Sequence, residues 1–141
     1  MSAPKHLWRF PTREAIDSLA SRFGFPNTPG MQDWEWEVAD PARIKEFIAA
    51  YNDGSLSEDE RFTLMETIIQ SFAETCLPLE TNSDWRQTLS AIEQDISLHI
   101  YSVWYWSHLD APDEEDLWNV TPFMRRLLDR HRPSFEKTWP E

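Results

Sequence analysis

Residues 57–78 read SEDERFTLMETIIQSFAETCLP, and this stretch decides the fold. Its opening, Ser57-Glu58-Asp59-Glu60, has the pattern of a capping box. The serine hydroxyl can accept from the backbone N–H three residues on, while Glu60 reaches back to the N–H of Ser57. Acids at this end also face the positive pole of the helix dipole. Behind the box, Phe62, Leu64, Met65, Ile68, Ile69, Phe72 and Cys76 recur at helical spacing. They cover too wide an arc for a surface helix with one buried stripe. The pattern predicts a central helix with several neighbours, running to about Leu77 and stopped by Pro78. Cys76 closes the apolar series and is expected to pack inside.

Working back from this helix, Asp40-Pro41 is a second start, an N-cap acid followed by proline at the first helical position. Ile44, Phe47, Ile48 and Tyr51 supply its inner stripe, and Asn52-Asp53-Gly54 ends it. Earlier still, Thr12 can cap a helix whose stripe is Ile16, Leu19, Ala20 and Phe23. Gly24 stands where a left-handed cap belongs, and Phe25 can fold back before Pro26. Between these helices, Asp33-Trp34-Glu35-Trp36-Glu37-Val38 alternates acid and apolar residue. Period two predicts an extended arm with the tryptophans and Val38 on one side and the carboxylates on the other.

Working forward, Ser83 or Asp84 opens a helix marked by Trp85, Leu89, Ile92 and Ile96. It either continues through Ser97 to Trp106 or breaks near Ser97. Residues 110–116 form an acidic connector. Thr121-Pro122 repeats the cap-plus-proline start, with Phe123, Met124, Leu127, Leu128 and His131 on the inner face and Pro133 as the stop. Arg125, Arg126, Arg130 and Arg132 fall outside it or toward its C-terminal end, where the dipole favours cations. The fold class expected is therefore all-α: a compact bundle of five to six helices with a short extended segment at 33–38. At 141 residues the chain fits a single domain, 1–141, with a loosely packed tail at 133–141.

Composition narrows the function. Forty per cent of residues are apolar, with eight Trp and eight Phe, which is ample core material. The net charge of −12 is concentrated in residues 33–118, which hold four basic and twenty acidic residues. Such a surface repels nucleic-acid phosphates and anionic lipid and draws basic protein surfaces. Residues 1–10 lack the apolar core of a signal peptide, and no run approaches the ~18 apolar residues of a membrane span. One cysteine and no export signal point to a reducing cytoplasm.

Motifs of catalysis and ligation fail on inspection. Taking Gly54 as the sixth position of a calcium loop puts Glu60 at the twelfth, but Ala49 and Tyr51 then occupy the first and third, where carboxylates belong. His6, His99, His108 and His131 show no metal-ligand spacing; Asp95 and His99 could share a helix face, but one pair is not a site. There is no Gly-x-Ser-x-Gly, and three glycines leave no phosphate-binding loop. No catalytic residue, cofactor or metal is expected. The arginines of the last helix are expected to pair with Asp113, Glu114, Glu115 and Asp116 or with the acidic arm. Phe62, Phe72, Trp85 and most of the 101–106 cluster read as core. Trp34, Trp36 and Trp118 lie among acids, and each either anchors a partner or clips its loop to the core.

The segments Trp-Glu-Trp-Glu-Val-Ala-Asp-Pro (34–41), Leu-Ser-x-Asp-Glu-Arg-Phe-x-Leu-Met-Glu (56–66), Tyr-Trp-Ser (105–107) and Thr-Pro-x-x-Arg (121–125) are similar to small acidic helical bacterial proteins of the kind found as immunity proteins beside polymorphic toxins. The resemblance implies a non-catalytic cytoplasmic protein that neutralises a basic partner, such as a toxin nuclease domain. The candidate partner-binding residues are Asp33, Trp34, Glu35, Trp36, Glu37, Asp113, Glu114, Glu115, Asp116 and Trp118. The alternative is a small helical enzyme or ligand-binding domain with a pocket between helices.

Overall fold

The computed structural model describes residues 3–111 and 117–138. These form seven α-helices and no strand, as the all-α expectation requires. The chain divides into two compact units, Phe10–Leu77 and Met1–Arg9 together with Pro78–Glu141.

In the Phe10–Leu77 unit, helix α1 (Arg13–Phe23) starts where Thr12 accepts from the Ala15 N–H at 3.1 Å. It ends at Gly24, whose φ of 69° is one that only glycine adopts without steric cost. Phe25 then folds back onto Phe23, ring centroids 5.4 Å apart. A short turn, α2 (Trp34–Glu37), precedes a 3-10 turn (Pro41–Arg43) and helix α3 (Ile44–Asn52). The Asp40 carboxylate accepts from Ala42 N–H at 2.9 Å, as the cap-plus-proline signature predicts.

Helix α4 (Glu58–Ala73) carries the complete capping box. Every residue from Phe62 to Ile69 is buried, and α1, α2 and α3 all pack against it, so the wide apolar arc has the use its sequence implied. Its buried face also holds a row of hydroxyls, Thr63, Thr67 and Ser71, spaced one turn apart. Thr67 donates to the Glu35 carbonyl at 2.7 Å, and Ser71 accepts from the Asp40 N–H at 3.0 Å. The helix stops four residues short of the expected Leu77. Glu74 and Thr75 turn back onto the Gln70 and Phe72 carbonyls, and the Thr75 hydroxyl accepts from the Leu77 N–H at 3.3 Å. A threonine that offers the backbone its own partner competes with the helix, and Pro78 removes the helical option from Leu77. Cys76 consequently lies beyond the helix and is exposed, not packed in the core.

Four aromatic rings cluster in this unit, and three of them surround one guanidinium. Phe47 meets Phe23 edge-on at 5.3 Å, and Phe25 meets Trp34 at 5.7 Å. Arg43 lies over Phe23, Phe25 and Phe47 at 5.6, 4.9 and 5.6 Å. It also pairs with Glu46 at 2.7 Å and donates to the Phe23 carbonyl at 3.0 Å, closing the C-terminal end of α1.

In the other unit, Asn82 caps helix α5 (Ser83–Gln94) by accepting from the Trp85 N–H at 2.9 Å. The question of continuity resolves at Asp95, where the backbone leaves helical geometry and helix α6 (Ile96–Trp106) begins. The Asp95 carbonyl accepts from Leu98 and His99, restarting the ladder. Helix α7 (Thr121–His131) packs along α6 and continues as a 3-10 stretch, Arg132–Thr138, so Pro133 tightens the helix where a stop was expected. Thr121 is not the cap. Its hydroxyl donates to the Trp106 carbonyl at 3.0 Å and ties the start of α7 to the end of α6.

Candidate functional site

The acidic arm does not form the face that its alternation predicted. Residues 34–37 make one helical turn, entered through Asp33 at a left-handed φ of 51°. Val38 N–H donates to the Trp34 carbonyl at 3.1 Å, so these two residues point the same way, and both are buried. Over five residues, period two and a single turn agree about the two ends; only the middle residue distinguishes them. Trp36 is half-buried and turned aside. Trp34 is 4% exposed, with its indole N–H donating to the Pro26 carbonyl at 2.8 Å, so it clips the loop to the core and is not an anchor for a partner. Glu35 is buried as well, whereas Asp33 and Glu37 are exposed. Burial raises the Glu35 carboxyl above the ordinary range against its own backbone N–H, and the charges of Asp33 and Glu37 push it further the same way.

Of the second candidate group, Asp113, Glu114, Glu115 and Asp116 lie outside the described residues. Trp118 is described, and it forms one wall of an open pocket of about 350 Å³. The other described walls are Trp104, Tyr105, His108, Leu109 and Asp110. Trp104 and Tyr105, read from the sequence as core, are half-buried and face this pocket, while Val103 and Trp106 carry the packing. The indole of Trp118 stands 4.4 Å from the His108 ring, 4.9 Å from Trp106 and 5.9 Å from Tyr105, centroid to centroid.

The rim beneath these rings is fixed by α7. Arg125, expected on the outer face, is partly buried and donates to the Ser107 carbonyl at 2.8 Å and the His108 carbonyl at 3.0 Å. The Ser107 carbonyl is the cap group of α6, which no residue within the helix can satisfy, and the His108 carbonyl accepts from the Ala111 N–H at 3.1 Å as well. His108 itself adopts a φ of 47°, a left-handed conformation that turns the chain sharply out of the helix. Two polar atoms of the wall, Trp104 Nε1 and His108 Nδ1, are buried with no hydrogen-bond partner among the described residues. Each such atom costs about 1–3 kcal/mol. Asp110 is exposed and makes no ion pair among the described residues.

Elsewhere several charged groups pair with one another. Arg130 pairs with Glu93 at 2.9 Å, and His131 Nε2 lies 2.6 Å from the same carboxylate; the expected pairing with Asp113 to Asp116 lies outside the described residues. Burial of Glu93 favours its neutral form, but the bonds from His131 and Arg130 outweigh it and lower the carboxyl below its ordinary range. A second, more open hollow of about 400 Å³ is lined by Arg22, Phe23, Glu46, Ala49, Ala50 and Asp53, its charges already paired between Arg22 and Asp53. Among the described residues no group of three or more His, Cys, Asp or Glu is placed to hold a metal ion, and no helix is long and apolar enough to cross a membrane.

The Trp118 pocket therefore brings together a half-exposed aromatic wall, a carboxylate with no ion pair among the described residues and a rim tied down by Arg125. Sequence reasoning found Trp118 but not Trp104, Tyr105, His108 or Asp110. The signal was present: positions 101, 104, 105 and 108 are spaced to share one face of a helix, aromatic throughout. No family model, curated protein or solved structure matches the chain.

Proposed function

We propose that this protein is a non-catalytic binding module that neutralises a basic protein partner in the cytoplasm, in the manner of immunity proteins that inactivate toxin domains. The observation that carries the reading is the Trp118 pocket, where Asp110 makes no ion pair among the described residues. The chain leaves the pocket at Asp110 and returns to it at Trp118, and the connection contains Asp113, Glu114, Glu115 and Asp116. A half-exposed tryptophan that follows four acids in the sequence has the two ingredients of such an interface: acids raise the encounter rate and the ring supplies the desolvated anchor. The net charge of −12 supports a cationic partner and opposes nucleic acid. The arm at 33–37 contributes Asp33 and Glu37 to the field and no aromatic anchor.

The test is capture by the immobilised full chain from extract of the cells that make it, followed by association kinetics with the retained protein. A basic protein should be held at low and moderate salt. Replacing the four connector carboxylates with amides should slow its association by on the order of tenfold and flatten the salt dependence. No basic protein retained at moderate salt, or an unchanged association rate, overturns the reading.

A second reading has one observation in its favour. A pocket of about 350 Å³ lies within the range that holds small molecules, so a ligand-binding domain is the alternative. It requires a compound that shifts the indole signals of Trp104 and Trp118 in the absence of any protein partner.

A further inference from the structure

Resting on the protein-binding reading, we infer that the pocket formed by Trp104, Tyr105, His108, Asp110 and Trp118 is the seat for an arginine side chain of the partner. The chemistry of the wall selects a cation. Three half-exposed, electron-rich aromatic rings line it, and Asp110 adds a carboxylate with no ion-pair partner among the described residues. The pocket also lies at the C-terminal end of α6, where the helix dipole is negative. The nearby cation of the chain itself, Arg125, is held by the Ser107 and His108 carbonyls and does not line the pocket.

Arginine fits this wall better than lysine. A guanidinium is flat, weakly hydrated and able to stack on a ring while its edge bonds a carboxylate; an ammonium keeps its water and does neither as well. The same chain builds this arrangement in its other unit. There Arg43 lies over Phe23, Phe25 and Phe47 while bonded to Glu46 at 2.7 Å. Rings plus one carboxylate are completed by a guanidinium in that cluster; at the Trp118 pocket the rings and the carboxylate are present and the guanidinium must come from outside.

The experiment titrates the full chain, with tryptophan indoles labelled by nitrogen-15, using a short Gly/Ser peptide that carries one arginine. Matched peptides carry lysine or citrulline, the latter a neutral copy of arginine. The arginine peptide should shift the Trp104 and Trp118 indole signals saturably at millimolar concentrations, lysine should bind more weakly, and citrulline at least tenfold more weakly. Asp110→Asn, a surface change that should leave the circular dichroism untouched, should weaken the arginine peptide about fivefold. Equal binding of citrulline, indifference to Asp110→Asn, or shifts spread over all eight tryptophans overturns the assignment. Partner capture separates this inference from the broader one. A basic partner held equally well by the Asp110→Asn and Trp118→Leu chains would leave the binding module standing and remove the arginine seat. An arginine-selective, Asp110-dependent pocket with no retained partner would do the reverse.

Discussion

The imidazole of His108 lies flat against the indole of Trp118, centroids 4.4 Å apart and planes 21° apart, while its backbone holds a φ of 47°. The stack and the strain oppose each other: the ring contact contributes about 0.5–1.5 kcal/mol, and a left-handed non-glycine residue costs about 1 kcal/mol or more. His108→Ala keeps the strain and loses the stack, so it should destabilise the protein by about 1 kcal/mol in urea unfolding. His108→Gly loses both and should come close to wild type. If alanine is as stable as glycine here, the strain plays no part.

Arg125 fixes the rim of the same pocket through two carbonyls. Its removal leaves the Ser107 carbonyl without its donor and the His108 carbonyl with only the Ala111 N–H, and hydrogen bonds from a charged group are worth about 1.5–3 kcal/mol. Arg125→Ala should cost at least about 2 kcal/mol and increase the accessibility of Trp118 to a soluble fluorescence quencher. Arg125→Lys, which reaches one carbonyl at most in good geometry, should fall between the two.

Glu35 makes the opposite kind of prediction. Burial raises its carboxyl in the folded state, so the folded protein holds this proton more tightly than the unfolded chain. Its contribution is present below the unfolded value and is lost as pH rises through the folded one. Glu35→Gln, which mimics the protonated form, should therefore raise the melting temperature at pH 7 and have no effect well below pH 4. A lower melting temperature at pH 7 would show that the carboxylate is needed where it is.

Asp53 runs the other way. Hydrogen bonds from Ser55, then from Arg22, hold its carboxyl down at about 2, against 3.8 for the free group. The stabilisation is present above the free value and is lost as pH falls from about 4 toward 2. Replacing Asp53 with asparagine should flatten the unfolding midpoint in that interval and leave its slope above pH 5 unchanged. Urea titrations at pH 5 and pH 2.5 give the comparison.

Helix starts were legible because their chemistry is local. Thr12, Asp40 and Ser57 each bond a backbone N–H two or three residues away, and a pattern that short is written whole in the chain. What needed tertiary information was not. The segment from Trp34 to Val38 has too few residues for its period to be read, and burial of Trp34 beside Phe25 settled it. Cys76 continued an apolar series past the point where Thr75 and Pro78 had ended the helix. Thr121 has the composition of a cap, but the Trp106 carbonyl fifteen residues away claims its hydroxyl. The pocket escaped for the same reason: a row of aromatics at helical spacing says that one face is aromatic, and only the packing of α7 decides that this face stays partly open.

The hydroxyls of α4 carry a consequence for register. Hydrocarbon contacts would let the stretch from Trp34 to Asp40 slide along the helix by one turn, about 5.4 Å, at little loss, because one oily ridge resembles the next. Thr67 and Ser71 remove that freedom, since the Glu35 carbonyl and the Asp40 N–H find their partners at a single setting. Valine at 67 with alanine at 71 should yield a segment that still adheres but no longer knows where to stop.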